Sequence, residues 1–203
     1  MLAIAGGKGG CGKTTTTLGL AAAYARRRRR PLVVDADRGM PNCHLYAGTR
    51  GSGGVDAVAA GDDVASVAEP AARVPGVDVL AGGDADPRDY LGRLPRGRPV
   101  LLDTAAGASA DVGHVLAAAE ASVVVTTAAR EAIEDGMKTA ALSRTLGTPV
   151  AAGVLVGTDA ATDGVERALG ASVTPIPSAE DPLASSPVAT AYDGLAVQTE
   201  PNH

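Results

Sequence analysis

The 203-residue chain contains no phenylalanine and no tryptophan, and only three lysines and two cysteines. Each shortage excludes something. With the aromatics reduced to four tyrosines, a buried core has to be assembled from Ala, Val and Leu. Two cysteines, Cys11 and Cys43, do not make the disulfide framework of a small secreted domain, so a reducing cytoplasm is the expected compartment. No apolar run approaches the ~20 residues that cross a bilayer. "MLAIAGG" lacks the basic start of a secretory leader, and none is expected. A formal net charge of −5 argues against general nucleic-acid binding and leaves room only for a local basic patch. The length fits one domain, residues 1–203, with a core of its own.

What is present alternates regularly. Apolar runs at 1–6, 31–37, 77–83, 99–105, 121–127, 149–157 and 171–176 read as strands, and unbroken runs of this kind suit strands buried on both faces of a parallel sheet. Helical stretches are expected at 13–28, 54–68, 108–119, 131–146 and 163–169. This alternation predicts right-handed crossovers and a three-layer α/β/α fold with a mainly parallel sheet of about seven strands. Segment 84–98 is too interrupted by Pro and Gly for more than a turn or two of helix. Residues 177–203, rich in Pro, Ser, Ala and Thr, read as an irregular tail with at most a brief helix near 187–193.

Two of the three lysines fall in one short stretch, "GGKGGCGKTTTT" at 6–17. Gly7 to Thr14 fits G-x-x-x-x-G-K-[ST] between a strand and a helix, the context that a phosphate-binding loop requires. Gly7, Gly9, Gly10 and Gly12 let the backbone curl so that successive N–H groups, through Cys11 and on to Thr15, point at phosphate oxygens. The following helix adds its positive end. Lys13 is then placed to bridge β- and γ-phosphates, and the Thr14 hydroxyl to hold Mg²⁺. Lys8 is not needed for that cradle.

With its extra lysine, "KGGCGKT" resembles the deviant Walker A motif of the MinD/ParA family of ATPases, and the likeness continues downstream. "VVDADRGMPN" (33–42) resembles the family's segment D-x-D-x-x-x-x-N after the second strand, and "VLLDTAAG" (100–107) its "DTPAG" strand. The resemblance implies a P-loop NTPase fold that binds ATP and Mg²⁺ and forms a homodimer on ATP binding. Lys8 would reach the nucleotide of the partner subunit, Asp35 and Asp103 would support the Mg²⁺ shell with Thr14, Asp37 would orient the attacking water, and Asn42 would sit near the γ-phosphate. Slow hydrolysis in the service of spatial positioning is the implied role. Division-site placement, chromosome or plasmid partitioning and surface-structure placement are the choices, each through an activating or cargo protein the sequence does not identify. A synthase that activates small carboxylates, or a regulatory module that binds nucleotide without hydrolysis, are the alternatives within the same superfamily.

Departures matter as well. Gly157 stands where many relatives place an adenine-reading Asn, which leaves Pro175 and Pro177 to flank the base. The ending "YDGLAVQTEPNH" has no basic amphipathic stripe, so no autonomous membrane anchor is expected, and the family's long C-terminal helices are expected to be missing. Arg26–Arg30 is the one basic run. It suits either phosphate contacts with nucleic acid or lipid, or favourable charge at a helix C-terminus. Arginine in place of lysine, with Asp in excess of Glu, hints at a GC-rich, salt-loving ancestry and says nothing of function.

Overall fold

A computed structural model describes residues 1–161 and 163–200. β1 (Leu2–Gly6) leads into α1 (Lys13–Arg26) and β2 (Leu32–Ala36). The short helices α2 (Cys43–Ala47), α3 (Gly54–Ala60) and α4 (Val64–Val67) follow, then β3 (Glu69–Pro70), β4 (Asp78–Leu80) and α5 (Pro87–Tyr90), which runs into a 3-10 turn at Leu91–Arg93. The second half alternates strictly: β5 (Val100–Ala106), α6 (Ala110–Ala118), β6 (Ala121–Thr127), α7 (Arg130–Thr145), β7 (Val150–Val156), α8 (Asp163–Leu169), β8 (Val173–Ile176) and α9 (Ser186–Thr199).

The eight strands form one sheet in the order β3-β4-β2-β5-β1-β6-β7-β8, and only the β3–β4 pairing is antiparallel. All seven expected strands are there. The eighth, β3, is a two-residue edge carrying Pro70, where a missing N–H costs no ladder bond. β1 lies centrally between β5 and β6. The chain first winds away from β1 toward β2 and later continues on the other side from β6. Loops therefore part at the carboxyl end of β1 and leave the crevice where such sheets bind ligands.

Strand periodicity sorts the core into layers. Val33, Leu101 and Val123 face one side with Leu18, Tyr24, Val188 and Tyr192, which belong to α1 and α9. Their neighbours Leu32, Val34 and Leu102 face the other side, against Tyr90, Val112 and Leu116. Val124 and Leu155 extend that second layer under α7 and α8 through Ala140, Val165 and Leu169. With so few aromatics, close approach takes the place of bulk.

Two expectations need correction. The stretch 54–68 is not one helix: Gly61 turns the chain at φ 118°, and Asp63 caps a new start by accepting from the Ala65 N–H at 2.8 Å. Residues 186–199 are not an irregular tail either but the fourteen-residue α9. Val188, Tyr192, Leu195 and Ala196 lie on its buried face at helical spacing, and packing on α1 outweighs the weak local propensity of Pro187, Asp193 and Gly194. Part of the arginine run holds it in place. Arg26 pairs with Asp193 at 2.8 Å, and Arg27 and Arg29 with Glu200 at 2.7 and 3.5 Å. Three of the five arginines thus clamp two helices together.

The α1–α9 seam depends on Gly19, because a Cβ there would overlap the ring of Tyr192. Gly19→Ala raises helix propensity by about 1 kcal/mol, yet overpacking costs about 1–3 kcal/mol. A net fall in melting temperature is expected, with partial recovery in Gly19→Ala/Tyr192→Leu; thermal denaturation that shows Gly19→Ala more stable would refute this account of the seam.

Candidate functional site

Beyond β1 the chain turns through Gly7–Gly12 before α1 begins. Gly10 (φ 75°) and Gly12 (φ 95°) hold left-handed conformations that a side chain would oppose. Because Gly12 is the N-cap, no side chain caps the helix, and the first backbone bond is Thr16 N–H to the Gly12 carbonyl at 2.8 Å. The N–H groups of Thr14 and Thr15 accordingly have no acceptor among the described residues, and they lie at the positive end of a fourteen-residue helix. A Cβ on Gly9 or Gly10 would meet nothing within 4 Å, so the outer face of the loop is open. A Cβ on Gly7 would collide with Asp135 of α7, and Val156 of β7 packs against Gly12.

The two loop lysines are placed oppositely. Lys13 is 8% exposed, and its Nζ has one recorded contact, the Lys8 carbonyl at 3.4 Å. Lys8 itself is exposed. Among the described residues only Lys138 of the three lysines forms an ion pair, with Asp135 at 2.8 Å. An ammonium this buried and this poorly compensated fits an anion brought from outside. Cys11 points inward, its Sγ 3.6 Å from the Val125 carbonyl, and burial raises its thiol pKa despite the nearby Lys13 charge.

Opposite the loop, Asp35 and Asp103 are register partners on β2 and β5, both almost fully buried. One oxygen of Asp103 accepts from the Thr14 hydroxyl at 2.7 Å and from the Cys43 thiol at 3.3 Å; the other accepts from Thr17 at 3.0 Å. The Thr14 Oγ1 also lies 3.2 Å from the Asn42 Oδ1. Asp35 accepts the N–H groups of Asp37 at 3.1 Å and Cys43 at 3.0 Å. Burial pushes the Asp103 carboxyl up to about 6, against the relief its hydroxyl and thiol donors provide, and the Asp35 charge adds to the rise. Asp35 is raised too, chiefly by burial. Two adjacent buried carboxylates with a hydroxyl beside them fit a divalent cation. Mg²⁺ suits such a set, because it is commonly bound by one or two carboxylates, keeps several waters and is shared with phosphate oxygens.

Of the predicted site residues, Lys13, Thr14, Asp35, Asn42 and Asp103 converge. Asp37 lies at the rim with its Oδ1 engaged by the N–H groups of Gly39 and Met40, both at 3.0 Å, so it caps its own turn. Pro175 lies in β8 opposite Leu155 and Pro177 just past it, beside the β7 end whose Val156 packs against Gly12. Gly157 donates its N–H to the Ile176 carbonyl at 2.8 Å, and a Cβ on it would come within 3.6 Å of the Ser178 hydroxyl. Two residues in the acidic pocket escape sequence reading. Thr17 is one helical turn from Thr14, a spacing that put it on the same face. Cys43 directly follows Asn42, and nothing in the spacing of the two cysteines marks it.

The sequence profile of the CobQ/CobB/MinD/ParA nucleotide binding domain matches residues 2–167. The chain is 28% identical over 169 residues to an uncharacterised ATP-binding protein of Methanocaldococcus jannaschii, an alignment covering 73% of this chain and 61% of that one. Against the septum site-determining protein MinD of Synechocystis it is 26% identical over 148 residues, 66% of this chain and 56% of that one. The chain thus spans about three-fifths of the length of these relatives. In structure it resembles the cell division ATPase MinD of Pyrococcus furiosus, with a TM-score of 0.85, 26% identity and coverage of 97% and 96% of the two chains. The fold is shared with the Pyrococcus horikoshii MinD complexed with Mg-ADP, at a TM-score of 0.84, 23% identity and coverage of 96% and 93%.

The buried pair has a consequence for the protein without bound cation. Folding raises the Asp103 carboxyl from 3.8 to about 6, so the folded state binds more protons than the unfolded one between those values. Stability therefore falls as pH rises from about 4 through about 6 and stays low above. A two-unit shift corresponds to about 3 kcal/mol at most. Asp103→Asn, which keeps the shape and removes the charge, is expected to melt higher than wild type at pH 7.5 in chelator and to lose that slope. A lower melting temperature for the variant at pH 7.5 would contradict the strain assigned to this carboxylate.

Proposed function

The chain belongs to the CobQ/CobB/MinD/ParA nucleotide-binding domain family. On that premise we propose that it is an ATPase of the MinD/ParA type, which binds ATP with Mg²⁺, closes into a homodimer and reopens on slow hydrolysis. Its role is spatial positioning, exerted through an activating or cargo protein.

The observation that carries this reading is the opposite placement of Lys8 and Lys13. Lys13 is buried beside the free N–H groups at the start of α1, where it serves the β- and γ-phosphates of its own subunit. Lys8 is exposed on the open side of the loop, with no carboxylate paired to it among the described residues and no side chain on Gly9 or Gly10 to block its reach. That suits a nucleotide on another subunit. Met40 at 71% and Leu45 at 66% exposure, with Tyr46 beside them, give the segment after β2 an apolar outer surface suited to a partner.

Thr14, Asp35 and Asp103 would hold Mg²⁺, which when bound supplies positive charge to the phosphate oxygens. Asp37 releases the N–H groups of Gly39 and Met40 to orient the attacking water. At the base, Gly157 offers no side chain, so Pro175 and Pro177 give a slot selected by shape, and ATP is preferred to GTP only modestly.

The two lysines should fail differently. Lys13→Ala is expected to lower nucleotide affinity by a hundredfold or more, about 3 kcal/mol, as a charge-assisted contact to phosphate is lost. Lys8→Ala should keep monomeric ATP binding but lose ATP-dependent dimers and turnover, and Lys8→Arg should not restore them, because a planar fork replaces a compact ammonium. Nucleotide affinity, turnover, and size-exclusion mass in an Asp37→Ala background decide the matter. A Lys8→Ala protein that dimerises and hydrolyses ATP normally would leave an ordinary phosphate-loop ATPase.

A further inference from the structure

One residue bonds both carboxylates of the acidic pocket, and the phosphate-loop pattern does not specify it. Cys43 opens α2 and is fully buried. Its N–H donates to one oxygen of Asp35 at 3.0 Å, and its thiol to one oxygen of Asp103 at 3.3 Å. Asn42, next to it, lies 3.2 Å from the Thr14 hydroxyl. One dipeptide thus touches the phosphate loop, the end of β2 and the middle of β5.

The other donors to Asp103, Thr14 and Thr17, both come from α1. Among the described residues Cys43 makes the one recorded side-chain hydrogen bond from segment 37–47 to this carboxylate. We infer that Cys43 is a positioning residue for the cation-holding carboxylates: its thiol fixes the Asp103 carboxylate toward Thr14, and its N–H ties the same segment to Asp35. In this way the chain that carries Asp37 is set in register with the phosphate loop. The inference rests on the proposed Mg²⁺–nucleotide reading and names a residue that reading does not use.

Plain packing is the competing account, since Cys43 also belongs to the apolar cluster with Leu18 and Ala47. The two accounts rank substitutions in opposite order. A packing residue tolerates Ala better than Ser, because Ser buries a hydroxyl among apolar groups. A donor to Asp103 is restored by Ser and lost in Ala.

The test uses the full chain as wild type, Cys43→Ala and Cys43→Ser, with ATP binding measured by calorimetry in chelator and across a Mg²⁺ titration. In chelator all three should bind ATP within about twofold, as the loop is untouched. Partners one step removed from a metal typically cost 10–100-fold in metal affinity, so the Mg²⁺ midpoint should rise at least about tenfold in Cys43→Ala and stay within about threefold of wild type in Cys43→Ser. An unchanged midpoint in Cys43→Ala, a larger defect in Ser than in Ala, or equal losses with and without Mg²⁺ would overturn the inference. If Cys43→Ala does not fold, Cys43→Ser decides alone: a midpoint near wild type supports the role, and a tenfold rise removes it. Wild type that binds ATP without any Mg²⁺ dependence would instead overturn the cation reading, and this inference with it.

Discussion

Three charges are buried at one crevice without neutralising each other: the Lys13 ammonium on one side, the Asp35 and Asp103 carboxylates on the other. That arrangement is the constraint to which the rest of the chain is fitted. A sheet strand supplies each carboxylate at the same register, a helix start supplies the ammonium, and hydroxyls, a thiol and backbone N–H groups supply partial relief. Relief is incomplete, as the raised Asp103 shows. Left alone, such a cluster weakens the fold; it is tolerable in a site meant to receive a cation and an anion together.

The surrounding aliphatic scaffold has to hold α1 rigidly, because α1 carries Lys13, Thr14 and Thr17 in its first two turns. Close approach does this without aromatic bulk. Tyr192 of α9 lies against Gly19, and its hydroxyl donates to Thr16 at 3.3 Å, one turn beyond the loop. At the far end Arg26, Arg27 and Arg29 close the same seam over the partly exposed carboxylates of Asp193 and Glu200. Each such pair is worth at most about 1 kcal/mol, so the buried Tyr192 contact carries the seam and the arginines trim it. The arginine run is thus accounted for in part by an intramolecular use at a helix end.

Strands and loop were legible in the sequence for different physical reasons. Burial on both faces forces unbroken apolar runs, as in "LVVDA" and "ASVVVTT", and phosphate binding forces glycines and a lysine at fixed spacing. Thr14 and Asn42 were legible from their spacing after the loop and after β2, and Asp35 and Asp103 because each is a carboxylate set within an otherwise apolar strand. What escaped depends on contacts distant in sequence. α9 is stabilised by α1, some 170 residues away, rather than by its own propensities. Cys43 matters only because β5 brings Asp103 beside it. The turn at Asp37 follows from a local competition, in which a carboxylate near free N–H groups caps them first.

That competition also marks where the site has freedom to move. Segment 37–47 is pinned at one end by β2 and at the other by Cys43, while Arg38 reaches Asp111 of α6 through a partly exposed pair at 3.1 Å. Between the pins, Asp37 gives up two N–H contacts if it is to face the crevice. At about 0.5–1.5 kcal/mol net for each hydrogen bond, the rearrangement costs roughly 1–3 kcal/mol. A single charge-assisted contact to a phosphate-bound water offsets a cost of that size. On the proposed reading, the resting turn and the engaged carboxylate would be close in free energy, and a surface laid against Met40 and Leu45 would have leverage over which of them is populated. On the proposed reading, that is how a second subunit makes hydrolysis conditional: it need not supply the carboxylate, only tip a turn already near balance.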